Sequence, residues 1–273
     1  MTENSDEDFN TVVLNIMESI SRDWGVEDQD KEQSKPLKFS VRNTGVFFFG
    51  EICGLKVALW DEDDNNLKPD RIKEVLQCFS AAKCVVYTGF ALAFEKTCNL
   101  KRGDIIVSDC IDGVQTLDTD DKIEDVVKYS FYPDDTRFTP VPKTLKSVFN
   151  DDDWSGILCT EQRQRKSKVV KGTIMATTYD ILEILADENM LDQLQKRNKH
   201  YGLSIGGATL LKAAKECEKE VIFVCGVGFF VSEIIHGNIR QNWFPTVAES
   251  LANYIKFRLE KTVHSHSYFS GRH

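Results

Sequence analysis

The chain has little that would tie it to a metal, a membrane or a nucleic acid. Histidine is sparse at five residues, and the eight cysteines are scattered without a CxxC pair or a closely spaced Cys/His set. That pattern argues against a zinc cluster or a disulfide frame. It fits reduced core thiols of a cytoplasmic protein, two of them inside the apolar runs "AAKCVVYTG" and "VIFVCGVG". His264 and His266 fall in the polar end "TVHSHSYFSGRH", expected to be a flexible tail. No apolar run reaches the roughly 20 residues that span a bilayer, and the start "MTENSDEDFN" is too acidic and polar for a secretion signal. A formal net charge of -9 disfavours a nucleic-acid or anionic-membrane partner. The one compact basic run, "EQRQRKSKVVK" (Glu161 to Lys171), is expected to be a solvated loop leading into a strand.

What the sequence does contain is an alternation of strand-like and helix-like segments. At 273 residues the chain suits one α/β domain with a substantial core. An acidic segment and linker over residues 1–36 precede a domain over 37–262, with a tail over 263–273. In "FNTVVLNIMESISRDW", Phe9, Val12, Val13, Ile16, Ile20 and Trp24 have helical spacing, with a strand over Asn10 to Ile16 as the competitor. "GVFFFGEICGLKVALW" predicts two strands joined by a turn at Cys53 and Gly54. Pro69 opens a predicted helix with Ile72, Val75, Leu76 and Phe79 on one face. A buried strand from Cys84 to Tyr87 follows and ends at "TGFALAFE", expected to be a loop. "KRGDIIVSDCIDG" predicts a turn at Arg102 and Gly103 and then a strand, and "PTVAESLANYIKFRLEK" a final helix. The fold class expected is α/β, a single domain with a central mixed β-sheet flanked by helices.

Between Gly202 and Phe230, "GLSIGGATLLKAAKECEKEVIFVCGVGFF" has glycines at both ends, a helix-like run and a buried-strand-like run between them. Glycine clusters at strand ends let backbone approach a ligand. Neither cluster contains an obvious acid, base or nucleophile, and neither forms a GxGxxG strand–turn–helix signal.

In order along the chain, "GEICGLKVAL", "TGFALAF", "RGDIIVSD", "VKGTIMATT", "LSIGGATLLKAA" and "VCGVGFFVS" resemble the nucleoside phosphorylase and nucleosidase superfamily over residues 43 to 260. That resemblance implies a nucleoside phosphorylase-like domain, generally in a homo-oligomer, that breaks an N-glycosidic bond with phosphate or water. No cofactor is implied; phosphate would be a co-substrate in an active member. Such chemistry needs stabilisation of a cationic sugar, protonation of the leaving base and an aligned nucleophile.

The resemblance also assigns site positions. The family carboxylate that grips the sugar hydroxyls matches Gly206, its preceding methionine matches Ile205, and the aspartate that meets the base matches Phe229. Thr88 and Gly89 fall on the anion loop, with a strand-end or capping hydroxyl as the alternative for Thr88; beside the resemblance, Tyr179 is a candidate either to pack over a base or to serve as a helix-start packing residue. Glycine cannot accept a side-chain hydrogen bond, and phenylalanine can stack on a base but cannot protonate it. Glu233, four residues after Phe229, is the leading replacement acid, with Asp109, Asp112 and Glu95 behind it; Arg42 and Arg102 are candidate anion partners. The implied function is a nucleoside-binding, regulatory or scaffold unit with lost or weakened cleavage. The alternative is an active phosphorylase or nucleosidase with a rearranged site.

Overall fold

β-branched and aromatic residues crowd the apolar runs, and such side chains fit a pleated, buried surface. The computed structural model describes residues 12–16, 37–40, 46–52, 55–61, 69–80, 82, 84–94, 99–113, 138–149, 154, 156–159, 164–177, 200–235 and 244–267. Strands β1 (Val12–Ile16), β2 (Leu37–Ser40), β3 (Val46–Ile52) and β4 (Leu55–Asp61) come first, then helix α1 (Pro69–Cys78) and β5 (Cys84–Ala93). β6 (Ile105–Gly113), β7 (Phe138–Pro140), α2 (Lys143–Val148), β8 (Ile157–Cys159), β9 (Gln164–Lys166) and β10 (Val169–Thr177) follow. The chain then forms β11 (His200–Ile205), α3 (Gly207–Glu216), β12 (Glu220–Phe230), α4 (Val231–Ile235) and α5 (Phe244–Ser267).

The main sheet runs β11-β10-β6-β12-β5-β1-β4-β3-β2, with β7 beside β6. It is mixed, as expected: β5 and β12 are parallel, whereas β12 and β6 are antiparallel. β11 also pairs with β5, Gly202 opposite Ala93 and Leu203 opposite Leu92, so β5, β12, β6, β10 and β11 close into a ring. The hairpin at Cys53 and Gly54 and the helix start at Pro69 lie where the sequence places them. The sheet takes in Val12–Ile16 from the acidic N-terminal segment, and α5 takes in residues 263–267 of the expected tail.

Three expectations are corrected. Val12–Ile16 is a strand, not a helix, because its backbone pairs with two parallel neighbours, β4 and β5. "TGFALA" is not a loop; β5 continues to Ala93 because β12 pairs with it as far as Phe230. Part of the basic run, Gln164–Lys166, is a strand paired with Ile157–Cys159.

Helices α1 and α3 pack through Ile72, Val75 and Leu76 on one and Leu210, Leu211 and Ala214 on the other, all buried. The Lys219 ammonium donates to the carbonyls of Phe79, Ser80 and Ala82 at 3.3, 2.7 and 2.5 Å, closing the C-terminal end of α1. Arg258 on α5 does the same for α2, its Nε 2.7 Å from the Val148 carbonyl. Asp104, in the "RGD" turn, accepts from the Lys101 and Lys168 backbone N–H groups at 2.8 and 2.9 Å. That carboxylate fixes the entries to β6 and β10, which is a structural task.

Candidate functional site

β5 and β12 carry the central site positions on adjacent strands. Val224 pairs with Thr88, Cys225 with Gly89, and Phe229 with Leu92. Thr88 is 1% exposed. It and Gly89 therefore sit inside a strand, not on a loop open to an anion. The register slips between Val227 and Phe229, a bulge that turns the end of β12. Gly228 lies in it, and a Cβ there would stand 3.0 Å from the Phe90 ring, so glycine makes room for that ring.

Phe90 then meets two other aromatic rings. Its centroid is 4.7 Å from Phe244 in a stacked pair, and Phe229 meets Phe244 edge-on at 4.6 Å. Phe229 and Phe90 complete the group at 6.5 Å. All three are half-buried. Phe229 thus packs against the protein's own rings, at the place where the resemblance puts a base-protonating acid.

At the end of β11, Gly206 has φ 83° and ψ -19°, and its N–H donates to the Thr177 carbonyl at 2.7 Å. The Tyr87 hydroxyl donates to the Ile205 carbonyl at 3.2 Å. A left-handed backbone costs a residue with a side chain about 1–2 kcal/mol. Gly206 is therefore a backbone turn into α3, and this conformation disfavours a carboxylate-bearing residue at that position.

The candidate acids are mostly engaged. Glu233 lies in the first turn of α4, where one oxygen pairs with Arg102 and the other accepts the Phe230 N–H at 3.0 Å. The Arg102 guanidinium also lies over the Phe230 ring, 5.8 Å from its centroid. Asp112 is 2.7 Å from His200 Nε2, and the two side chains are 0% and 2% exposed. His200 Nδ1 and one oxygen of Asp109 are buried with no hydrogen-bond partner among the described residues. Glu95, Arg42 and Tyr179 lie outside the described residues.

Three of the described thiols are held in the protonated, weakly nucleophilic form. Burial raises Cys84 to about 11, and it pushes fully buried Cys225 up further. Cys110 is raised by burial and then by the charges of Asp109 and Asp112. Among the described residues no group of three or more His, Cys, Asp or Glu could hold a metal ion, and no helix is long and apolar enough to cross a membrane.

Sequence reasoning missed the Asp112–His200 pair and the part played by Phe90 and Phe244. Asp112 was a candidate on its own, but nothing local pointed to a partner 88 residues away. A glycine two residues before Phe230 was the available hint that a ring packs against β12.

The ring-closed mixed sheet and its flanking helices have the fold seen in solved 5'-methylthioadenosine/S-adenosylhomocysteine nucleosidases. Among solved structures, the chain is similar to the 5'-methylthioadenosine/S-adenosylhomocysteine nucleosidase of Neisseria meningitidis in complex with methylthio-immucillin-A. The TM-score is 0.61 at 14% identity, covering 92% of this chain and 99% of that one. The Campylobacter jejuni enzyme of the same name gives 0.62 at 16% identity, with 93% and 99% covered. The S-adenosylhomocysteine nucleosidase of Streptococcus pyogenes, in complex with 5-methylthiotubericidin, gives 0.63 at 15%, with 94% and 99% covered. No protein-family model and no curated protein matches the chain, so the likeness rests on three-dimensional structure and concerns the fold.

Proposed function

We propose that this chain is a nucleoside phosphorylase-like protein whose N-glycosidic cleavage is lost or greatly weakened, and which acts as a nucleoside-binding, regulatory or scaffold unit. The observation that carries the reading is the aromatic group of Phe90, Phe229 and Phe244, seated where cleavage would need an acid. The backbone turn at Gly206 supports it, because the sugar-side carboxylate has no counterpart there. A cytoplasmic homo-oligomer that binds nucleosides or nucleobases, and neither nucleic acid nor membrane, belongs to the same proposal. Thr88, Gly89, Ile205, Gly206 and Phe229 would then border the ligand, with Tyr179 packing on its base. Purified protein is incubated with 5'-methylthioadenosine, S-adenosylhomocysteine, inosine and uridine, with and without phosphate, and free base is measured by chromatography. No release above the uncatalysed rate is expected; robust release from any of them overturns the proposal.

A second reading, an active enzyme with a rearranged site, is favoured by Asp109, which keeps a buried oxygen with no partner among the described residues. Activity in the wild type that disappears in Asp109→Asn would establish it. Phosphate would then be a co-substrate or be replaced by water.

A further inference from the structure

One ring of the aromatic group is held differently from the other two. Phe90 and Phe229 are fixed on adjacent strands, β5 and β12, and the pairing that holds them runs on to Ala93 and Phe230. Phe244 is the first residue of α5. That helix is anchored further along: Val247, Ala248 and Leu251 are all 0% exposed, and a Cβ on Gly226 would stand 2.6 Å from Val247 Cγ1, so helix and strand are in contact there. Helix ends fray, because their first N–H groups have no acceptor one turn back. The Phe244 ring therefore sits on the least constrained turn of α5, one turn ahead of a firmly seated one, and can leave the group while the helix stays docked.

What the ring covers is a surface suited to a flat ligand. Phe244 stacks on Phe90 with centroids 4.7 Å apart and planes 24° from parallel, and it meets Phe229 edge-on at 4.6 Å. Gly228 closes on Phe90 from the strand, since a Cβ there would be 3.0 Å from the ring. All three rings are half-buried, so the group borders solvent. Stacked and edge-on contacts are the geometries by which aromatic rings hold one another, and a nucleobase stacks on an aromatic side chain with comparable strength. Phe244 thus makes, from within the chain, the contacts that a base would make with Phe90 and Phe229.

We infer that Phe244 is an internal competitor for a nucleobase: its ring occupies the Phe90–Phe229 surface, and the base of a nucleoside binds there by displacing it. The inference rests on the proposed nucleoside-binding role and adds its regulation. Apparent affinity for a nucleoside is then reduced in proportion to the fraction of molecules in which the ring is away. The three side chains carry no charge, so the surface selects a flat, neutral ring.

Calorimetric titration of the full chain with adenosine, for wild type, Phe244→Ala and Phe244→Leu, tests this. Phe244→Ala should bind adenosine about tenfold more tightly than wild type, since two ring contacts no longer compete. Phe244→Leu keeps apolar bulk on the helix but cannot stack, and should show a smaller gain in the same direction, so a poorly folded alanine variant does not decide the outcome. Adding Phe229→Leu to Phe244→Ala should abolish the gain; a gain that survives it places adenosine elsewhere and overturns the inference. Affinity unchanged or weaker in the folded Phe244 variants also overturns it, and if wild type then still binds adenosine, the nucleoside-binding role stands without it. No binding by any of these proteins removes the inference and that role together. Free base is measured in the same samples: robust release by the wild type overturns the loss of cleavage, whatever the titrations give.

Discussion

Replacing His200 by phenylalanine should destabilise the fold without touching the aromatic site. His200 and Asp112 lie on β11 and β6, the two neighbours of β10, and their side chains meet at 2.7 Å with essentially no exposure. Removing the partner of a buried carboxylate costs about 3–5 kcal/mol. The substitution also removes Nδ1, which has no partner among the described residues, and that relief returns about 1–2 kcal/mol. The net loss is about 1–4 kcal/mol, which corresponds to a fall of about 2–16 °C in Tm for a domain of this size. Urea and thermal unfolding of wild type, His200→Phe, Asp112→Leu and the double variant would measure it. The double variant should cost clearly less than the sum of the singles, because no charge is then left buried alone. A single variant within about 0.5 kcal/mol of wild type, or strict additivity in the cycle, would refute the reasoning.

Gly206→Ala should cost about 1 kcal/mol because of its positive φ, and Gly206→Glu should not restore base release despite returning a carboxylate; melting and chromatography check the two. Phe244→Ala removes a ring stacked on Phe90 and, being half-buried, should cost about 2 kcal/mol by urea unfolding, below the range for a fully buried ring. Cys84, raised from 9.0 to about 11 in the fold, keeps its proton where the unfolded chain loses it. Its contribution is complete below pH 9.0 and disappears as the pH rises to about 11, so urea midpoints should drop across that window, and less so in Cys84→Ala. Thiol labelling at neutral pH should reach exposed Cys78 well before buried Cys225.

Much of the fold was legible because its signals are local. The turn at Cys53 and Gly54 and the proline at the start of α1 act within a few residues, and the structure keeps both. Val12–Ile16 was misread because the same apolar residues suit either period, and only pairing with β4 and β5 decides between them. β5 ran past its expected end for a similar reason, since a partner strand more than a hundred residues later supplies its hydrogen bonds. At the candidate site, that positions 206 and 229 carry no acidic side chain was visible from the sequence alone. What those positions do instead was not. The left-handed turn depends on a contact with Thr177, and the aromatic group joins positions 90, 229 and 244, a proximity that no spacing rule contains.

The pairing of β11 with β5 also bears on how the protein avoids aggregation. A strand at the margin of a sheet offers unpaired backbone groups to any passing chain. By turning back on β5, β11 gives up part of that exposure, and in the order of described strands β2 is left as the open end of the path. β2 is only four residues long and includes Lys38. A short strand with a charged residue is a poor template for further strand addition, so among the described strands the end of the path is an uninviting one.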